Sequence, residues 1–148
     1  RKNYKDSFSF AFVRNPWDRL VREYFFIKDG SNPLHNEFFN VHLAKYPSFS
    51  EFVLEWLSLK NIYLYSNFIP QYRFITNPKR EIMVSYVAKF EAINQEIDYL
   101  SKQLDVKLDC YQLNQSRHDH YQSYYSDAAK EKVRQIYRQD IELFGYNF

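Results

Sequence analysis

The spacing of apolar residues changes abruptly near the start of the chain. Before residue 14, aromatic and β-branched residues mix with small ones, which is typical of a buried strand. These apolar positions are Phe8, Phe10, Phe12 and Val13. After residue 15 the apolar residues recur three and four positions apart, which predicts an amphipathic helix. Those positions are Trp17, Leu20, Val21 and Tyr24.

Three residues mark the change from strand to helix: Arg14, Asn15 and Pro16. Asn15 is a preferred helix N-cap, and Pro16 suits the first helical position. Asp18 follows in the first turn, where the helix dipole favours an acidic side chain. We therefore expect a strand that leads directly into a capped helix, with N–H groups left free at the helix start.

The rest of the pattern predicts further strands and helices. In chain order the expected elements are a turn over 28–33, an amphipathic helix over 49–57 capped by Ser48 or Ser50, irregular or short helical structure over 62–74, a turn over 77–80, a strand over 82–90, a helix over 91–104, a polar loop over 105–120, and a helix over 126–143 ended by Gly145. Strand–helix units with additional helices indicate an α/β protein. Its parallel strands should be few, and its C-terminal half mainly helical.

Length and composition narrow the class of protein. A chain of 148 residues is expected to form a single domain, over residues 1–148. Tyr and Phe contribute 14 residues each, so the core should be aromatic and its hydroxyl groups will need partners. The chain has two glycines, too few for a GxGxxG loop, and no Walker-type phosphate loop is present.

Charge and cysteine content exclude other classes. A formal net charge of +2 gives no bulk attraction for nucleic acid or an anionic membrane, so we predict no nucleic-acid partner and a local anion site. Cys110 is the single cysteine, which excludes an internal disulfide and favours a reducing, cytoplasmic location. The sequence has no run of about 18 apolar residues, so no transmembrane segment is expected in this chain.

Arg14 is the first candidate for binding a ligand. A guanidinium at a strand end, beside the N–H groups and the positive dipole end of a helix, can take a phosphate in bidentate fashion. The alternative is a surface arginine that pairs with a carboxylate such as Asp18. The local pattern leaves both interpretations open.

The same stretch carries an ordered set of residues, Arg14, Pro16, Arg19 and Tyr24. It resembles the 3′-phosphate-binding segment of the carbohydrate sulfotransferase family. The resemblance implies that Arg14 binds the 3′-phosphate of the sulfonate donor 3′-phosphoadenosine 5′-phosphosulfate (PAPS). Arg22 stands eight residues after Arg14, where the family has a phosphate-binding serine. Arg22 either assists at the same phosphate or pairs with Asp18 and faces solvent.

Four later segments resemble the family in the same order. Phe68–Tyr72 is similar to the family's Pro-Gln segment, and Tyr86–Glu91 is similar to its strand ending in Phe-Glu. Leu113–His118 is similar to its closing loop, and Asp140–Phe148 is similar to its last helix. Ser66 and Asn67 stand where the family usually has a histidine before the Pro-Gln segment. The implied architecture is a partial P-loop-NTPase-like sulfotransferase fold.

The resemblance implies an enzyme that moves a sulfonate from PAPS to a hydroxyl group of a saccharide or glycoconjugate, without a metal. It also implies that the family's closing loop supplies donor contacts here. These are Asn114, Ser116 and Arg117. A solvated polar loop is the alternative for this segment.

Histidine is the natural general base near neutral pH. His35 and His42 are candidates because they follow the phosphate-binding helix, where acceptor contacts are expected. A surface histidine without function is the alternative for each, so the catalytic residues stay unassigned. His118 and His120 form too short a cluster to predict a metal site.

The family grips the 5′-phosphosulfate with a strand and a Lys-containing loop that precede the 3′-phosphate segment, whereas seven residues precede Phe8 here. We therefore expect this chain to be the C-terminal part of such an enzyme, N-terminally incomplete and inactive by itself. If a longer chain has an N-terminal anchor, that anchor would bring the enzyme to a membrane. A non-catalytic nucleotide- or glycan-binding module of the same fold is the alternative. A relative of P-loop kinases is a third interpretation. The RNPWDR segment and the FGYNF ending disfavour it.

Overall fold

The computed structural model describes residues 7–30, 33–109 and 120–148. The chain divides into two compact units that are discontinuous in sequence. The first unit combines Arg1–Arg14 with Gln71–Gln115, and the second combines Asn15–Pro70 with Ser116–Phe148. The expectation of a single domain stays a prediction.

Within the described residues the chain forms two strands and seven α-helices. In chain order these are β1 (Phe10–Val13), α1 (Pro16–Lys28), α2 (Pro33–Phe38), α3 (Phe49–Glu51), α4 (Tyr72–Ile75), β2 (Tyr86–Lys89), α5 (Ile93–Leu104), α6 (Asp127–Ile136) and α7 (Arg138–Phe144). Short π-helical turns over Phe39–Leu43 and Phe52–Trp56 continue α2 and α3. Tight 3-10 turns occupy Asn61–Tyr63, Ser66–Phe68, Phe90–Ala92 and Tyr121–Tyr124.

A parallel pair of strands forms the sheet of the first unit. β1 pairs with β2 in a register that places Phe10 opposite Tyr86 and Val13 opposite Lys89. Parallel neighbours need a long crossover connection, which the chain between Val13 and Tyr86 supplies. This sheet confirms the prediction of a mixed α/β protein with few parallel strands.

Both strands are shorter than the sequence pattern predicts. The segment 82–90 contributes only β2 to the sheet, because Ile82 forms an isolated antiparallel bridge with Thr76 instead. β1 is also less buried than predicted: Val13 is buried, whereas Phe10 keeps 38% of its surface exposed. A two-stranded sheet covers few of its own side chains, which explains the exposed Phe10.

The first unit also contains the predicted turn and the predicted helix. The predicted turn over 77–80 is confirmed, because the Arg80 N–H donates to the Asn77 carbonyl oxygen at 2.8 Å. The predicted helix over 91–104 is present as α5, but a 3-10 turn over Phe90–Ala92 precedes its first residue.

An aromatic core holds the helices of the second unit together. Its fully buried side chains include Trp17, Tyr24, Phe52 and Phe68. Tyr24 and Phe52 stack with their ring centroids 5.1 Å apart. Such contacts add to the free energy of burying each ring. The predicted aromatic core is therefore confirmed for this unit.

Hydroxyl and indole groups of this core have backbone partners. The Tyr137 hydroxyl donates to the Phe68 carbonyl oxygen at 2.8 Å, and the Tyr125 hydroxyl donates to that of Trp17 at 2.9 Å. The Trp17 indole N–H donates to the Lys130 carbonyl oxygen at 3.0 Å. Burial raises the pKa of both Tyr125 and Tyr137, so the two phenols stay protonated donors.

The predicted C-terminal helix is two helices rather than one. Tyr137, between α6 and α7, has φ −102° and ψ 22°, outside helical values. Its buried hydroxyl bonds the distant Phe68 carbonyl, so a tertiary contact that the spacing of apolar residues does not encode accompanies the break. Gly145 ends α7 with φ 65°, as predicted, because glycine adopts this left-handed conformation without strain.

The sequence pattern assigns no element to 33–43, where the structure has α2 and its π-helical turn. Leu34, Phe38 and Val41 are spaced four and three residues apart, a helical signal that the sequence analysis did not use. No helix among residues 7–30, 33–109 and 120–148 is long and apolar enough to cross a membrane. Over the same residues, no group of three or more His, Cys, Asp and Glu side chains could hold a metal ion.

Ser48, one of the two serines that the sequence offers as caps, caps α3. Its Oγ accepts the Glu51 N–H at 3.2 Å. Ser48→Ala is therefore expected to lower the free energy of unfolding by about 1 kcal/mol. Ser50→Ala is the matched control and should cost less, because Ser50 lies inside the helix, 3.4 Å from the Ser126 hydroxyl. Urea unfolding followed by circular dichroism compares the two variants, and equal losses would contradict the assignment.

Candidate functional site

Arg14 lies immediately after β1, and Gln71 holds its backbone. The Gln71 side-chain oxygen accepts the Arg14 N–H at 2.9 Å, and the Gln71 side-chain nitrogen donates to the Arg14 carbonyl oxygen at 2.8 Å. Both backbone polar groups of Arg14 therefore have partners at the point where strand pairing ends. These two hydrogen bonds fix the position of the Arg14 backbone, and therefore of its Cα atom.

Phe90 stacks on the Arg14 guanidinium. Its ring centroid is 4.6 Å from Arg14 Cζ, a cation–π distance. The strand register explains the contact: Val13 pairs with Lys89, so the next residues, Arg14 and Phe90, emerge together at the carboxyl ends of the two strands. That end of a parallel sheet is where α/β proteins bind their ligands. Stacking uses the face of the guanidinium, whereas phosphate is bound by the N–H groups at its edge.

Three segments that the sequence presents separately meet at this point. Arg14 belongs to the 3′-phosphate-like segment, Gln71 to the Pro-Gln segment, and Phe90 to the segment that ends in Phe-Glu. Arg14 and Gln71 are 57 positions apart in the chain. The structure therefore joins the three resemblances in one cluster, which we call the Arg14 cluster (Arg14, Gln71 and Phe90).

Glu96 of α5 fixes the end of β2 beside the Arg14 cluster. Its Oε1 accepts the Lys89 N–H at 3.0 Å, and its Oε2 accepts the Tyr86 hydroxyl at 2.6 Å. The hydrogen bond to Glu96 raises the pKa of Tyr86 to about 12. One carboxylate thus holds the backbone of the residue that precedes Phe90.

Asn15 caps α1 in the second unit, as predicted. Its Oδ1 accepts the Trp17 N–H at 3.0 Å, and its Nδ2 donates to the Asn147 carbonyl oxygen at 2.8 Å. The Arg19 N–H donates to the Asn15 carbonyl oxygen at 2.8 Å. Because Pro16 has no N–H, two of the three donors in the first turn are committed. The expectation of free N–H groups at the helix start is therefore wrong for Trp17 and Arg19.

The other arginines of α1 contact groups of the second unit. Arg19 Nη1 donates to the Ile69 carbonyl oxygen at 3.0 Å, which ties α1 to the segment before Pro70. Arg22 Nη1 lies 3.9 Å from Glu23 Oε1, with the Arg22 side chain 30% exposed. Arg22 therefore pairs with Glu23, whereas the sequence analysis gave Asp18 as the alternative partner. The role of Arg22 at the donor's 3′-phosphate stays a prediction.

The predicted closing loop lies outside the described residues. Its three donor candidates are Asn114, Ser116 and Arg117, and their role stays a prediction. The same holds for the short histidine cluster, since His118 also lies outside the described residues.

A cavity of about 320 Å³ lies in the second unit, and His42 lines it. Its lining residues are Leu34, Glu37, Phe38, Val41, His42 and Tyr65. The cavity combines two aromatic rings with one carboxylate and one imidazole. Small-ligand sites commonly pair an apolar lining with a few polar groups in this way.

His35, the other predicted base, packs among aromatic rings instead. Its ring centroid is 4.7 Å from that of Phe26 and 6.0 Å from that of Tyr65. Its Nδ1 atom is buried and has no hydrogen-bond partner among the residues that the structure describes. Of the two candidates, His42 is the one that lines the cavity.

A family model described as the Sulfotransferase family matches residues 1–147 of this chain. The chain belongs to the sulfotransferase family. The match spans the Arg14 cluster and the His42 cavity, and it supports sulfonate transfer in general. No curated protein and no solved structure matches the chain.

Two polar residues of this sulfotransferase escape prediction from the sequence. Gln71 is recognisable as part of the Pro-Gln segment, but no local pattern gives it Arg14 as a partner. Glu23 carries a usable signal, because it is a carboxylate flanked in α1 by the buried residues Val21 and Tyr24. A charged residue inside an apolar stripe indicates a buried polar contact.

The Tyr86–Glu96 hydrogen bond gives this sulfotransferase a measurable titration. Glu96→Gln should lower the pKa of Tyr86 from about 12 toward about 10, because a neutral amide does not disfavour the tyrosinate as a carboxylate does. Nuclear magnetic resonance of the tyrosine 13Cζ atoms during a pH titration measures the change. Glu142→Gln is the control, since Glu142 pairs with Arg138 on the surface at 2.9 Å.

The same bond predicts a pH window for stability. The pKa of Tyr86 is raised in the folded state, so the bond stabilises fully below the unfolded value of about 10 and is lost as pH rises through about 12. The wild type should therefore lose stability relative to Glu96→Gln between these two pH values. A Tyr86 pKa that is the same in both proteins would contradict the assignment.

Proposed function

We propose that this sulfotransferase moves a sulfonate from PAPS to a hydroxyl group of a saccharide or glycoconjugate. Family membership supports sulfonate transfer, and the Arg14 cluster is the observation that supports binding of the donor. A cation with a fixed backbone and a stacked face, at the carboxyl end of a parallel sheet, suits a phosphate of a nucleotide.

The donor's 3′-phosphate binds the edge of the Arg14 guanidinium in this proposal. Gln71 fixes the backbone of Arg14, and Phe90 restricts the guanidinium plane. A side chain that is ordered before binding loses less conformational entropy when the ligand arrives. Arg22 assists at the same phosphate.

The closing loop covers the donor in this proposal. Its donor contacts are Asn114, Ser116 and Arg117. The architecture is a single P-loop-NTPase-like domain located in the cytoplasm. The parallel β1–β2 pair with a helical crossover supports this architecture.

For sulfuryl transfer a protein must align the acceptor oxygen, the sulfur and the leaving oxygen, and it must stabilise the delocalised negative charge of the transition state. The acceptor oxygen forms a bond to sulfur while the bond from sulfur to the 5′-phosphate oxygen breaks. Adenosine 3′,5′-bisphosphate leaves with the electron pair of that bond, and the acceptor proton passes to a base. No metal is needed for this sequence of events.

The His42 cavity is the proposed acceptor site. Sugars place C–H faces against aromatic rings and direct their hydroxyl groups to polar side chains, so Phe38 and Tyr65 suit the ring while Glu37 and His42 suit the hydroxyls. Within this site His42 is the general base, because an imidazole takes up a proton near neutral pH.

Arg14→Ala tests the donor side. The substitution should weaken binding of adenosine 3′,5′-bisphosphate by about 30- to 100-fold, because a charge-assisted contact to phosphate is lost. Isothermal titration calorimetry measures the affinity. Arg138→Ala is the matched control, since Arg138 is a surface arginine paired with Glu142. Equal affinity of the Arg14→Ala variant and the wild type would remove the donor proposal, and preference for ATP would point to a kinase relative instead.

His42→Asn tests the acceptor side. Transfer of radiolabelled sulfate to mixed glycans by the full-length protein should slow by about 100-fold or more in kcat, because the base is lost. Binding of adenosine 3′,5′-bisphosphate should be unchanged. His120→Asn is the control, since His120 is an exposed residue. A wild type that binds the nucleotide but transfers no sulfate would favour the non-catalytic binding module.

A further inference from the structure

One wall of the His42 cavity comes from α2 and the π-helical turn that continues it. The wall residues follow the three- and four-residue spacing of a helix face, and they are Leu34, Glu37, Phe38, Val41 and His42. Leu34 and Val41 keep 70% and 66% of their surface exposed. The wall is therefore open to a ligand and offers it apolar surface.

Phe38 is the centre of an aromatic cluster at this wall. Its ring centroid lies 4.6 Å from that of Tyr65 and 4.7 Å from that of His42. The buried ring of Trp56 meets Phe38 edge-on with the centroids 5.9 Å apart, which supports Phe38 from the core. The faces of Phe38 and Tyr65 carry partial negative charge, so these rings attract a cation.

Glu37 gives the lining a full negative charge. It is an exposed residue, so its carboxylate is accessible to a ligand. None of the lining residues that the structure describes is a lysine or an arginine. A carboxylate beside aromatic rings, with no cation in the described lining, attracts a cationic group and repels an anionic one.

A second carboxylate acts on the aromatic side of the cavity. Burial raises the pKa of Tyr65, and the negative charge of Glu23 raises it further. Arg22 offsets part of that charge, because its Nη1 lies 3.9 Å from Glu23 Oε1. The influence of Glu23 on Tyr65 thus agrees in sign with that of Glu37, which is the charge in the lining itself.

We propose that the His42 cavity takes a saccharide with a free, protonated amino group, and that Glu37 selects it over uncharged and acidic saccharides. This inference rests on the proposed function and deepens it, because it assigns a chemical class to the acceptor. The ammonium group pairs with the Glu37 carboxylate and contacts the faces of Phe38 and Tyr65. A protonated amine has no lone pair to attack sulfur, so a hydroxyl group of the same saccharide remains the nucleophile and the product is an O-sulfate.

Matched acceptors test the selection. A chitosan tetramer carries free amines, and a chitin tetramer carries the same sugars with the amines acetylated. Transfer of radiolabelled sulfate by the full-length protein is measured with each, at a pH at which the amines are protonated. The wild type should show a kcat/KM about fivefold higher for the chitosan tetramer, the order of an ion pair near the surface. A tetramer of galacturonic acid should be the poorest acceptor of the three.

Two substitutions of Glu37 separate its charge from its shape. Glu37→Gln should bring the ratio of the two kcat/KM values to about one, because the amide does not attract an ammonium group as a carboxylate does. Glu37→Asp keeps the charge and should keep most of the preference. Glu131→Gln is the matched control and should leave the ratio unchanged, since Glu131 pairs with Arg134 at 2.8 Å elsewhere in the same unit.

Several outcomes overturn this inference and leave the proposed function standing. They are equal transfer to the chitosan and chitin tetramers by the wild type, an unchanged preference in Glu37→Gln, an N-sulfated product in mass spectrometry, and transfer to mixed glycans but to neither tetramer. A wild type that transfers sulfate to no saccharide overturns the proposed function.

Binding measured without transfer tests the selection separately. In a labelled wild type, the chitosan tetramer should move the Glu37 13Cδ and His42 imidazole resonances, and it should bind about fivefold tighter than the chitin tetramer. The Glu131 13Cδ resonance should stay in place. A Glu37 resonance that does not move overturns the inference, and so does equal affinity for the two tetramers.

Discussion

The proposed donor site depends on the two hydrogen bonds between the Gln71 side chain and the Arg14 backbone. At the end of β1 the strand partner no longer supplies a donor and an acceptor, and one amide side chain provides both. The strand register then delivers Phe90 to the face of the Arg14 guanidinium. A flexible cation is thereby fixed at both ends, its backbone by hydrogen bonds and its head by an aromatic ring. Ordering of this kind before binding is what a phosphate site requires.

Local signals in the sequence were sufficient for features that depend on neighbouring residues. Asn15, Ser48 and Gly145 end or begin helices through their own side chain or backbone conformation, so their identity alone predicts the cap. The pattern failed where distant contacts decide the outcome. Ile82 bridges to Thr76 and so leaves the predicted strand. The C-terminal helix is interrupted at a buried tyrosine whose hydroxyl bonds a residue 69 positions away.

In the candidate site, too, local features were predictable from the sequence and distant contacts were not. The position of Arg14 between a strand end and a capped helix was predictable because the cap and the proline adjoin it in sequence. Gln71 and Phe90 were recognisable as parts of separate segments, but their contact with Arg14 follows from strand register and tertiary folding, which residue spacing does not encode. Glu23 was missed for another reason: adjacent helical residues diverge, so the pattern gives no cause to pair it with Arg22. Its burial inside an apolar stripe was the available clue.

The segment before Pro70 shows how irregular structure is held without a strand or a long helix. Arg19 donates to the Ile69 carbonyl, Tyr137 to the Phe68 carbonyl, and Asn67 to the Glu23 carboxylate. Each of these bonds is made by one side chain, whereas the contact between Phe90 and Arg14 follows from the register of two strands. A substitution at a single side chain can therefore reshape the segment near the proposed acceptor site without disturbing the sheet.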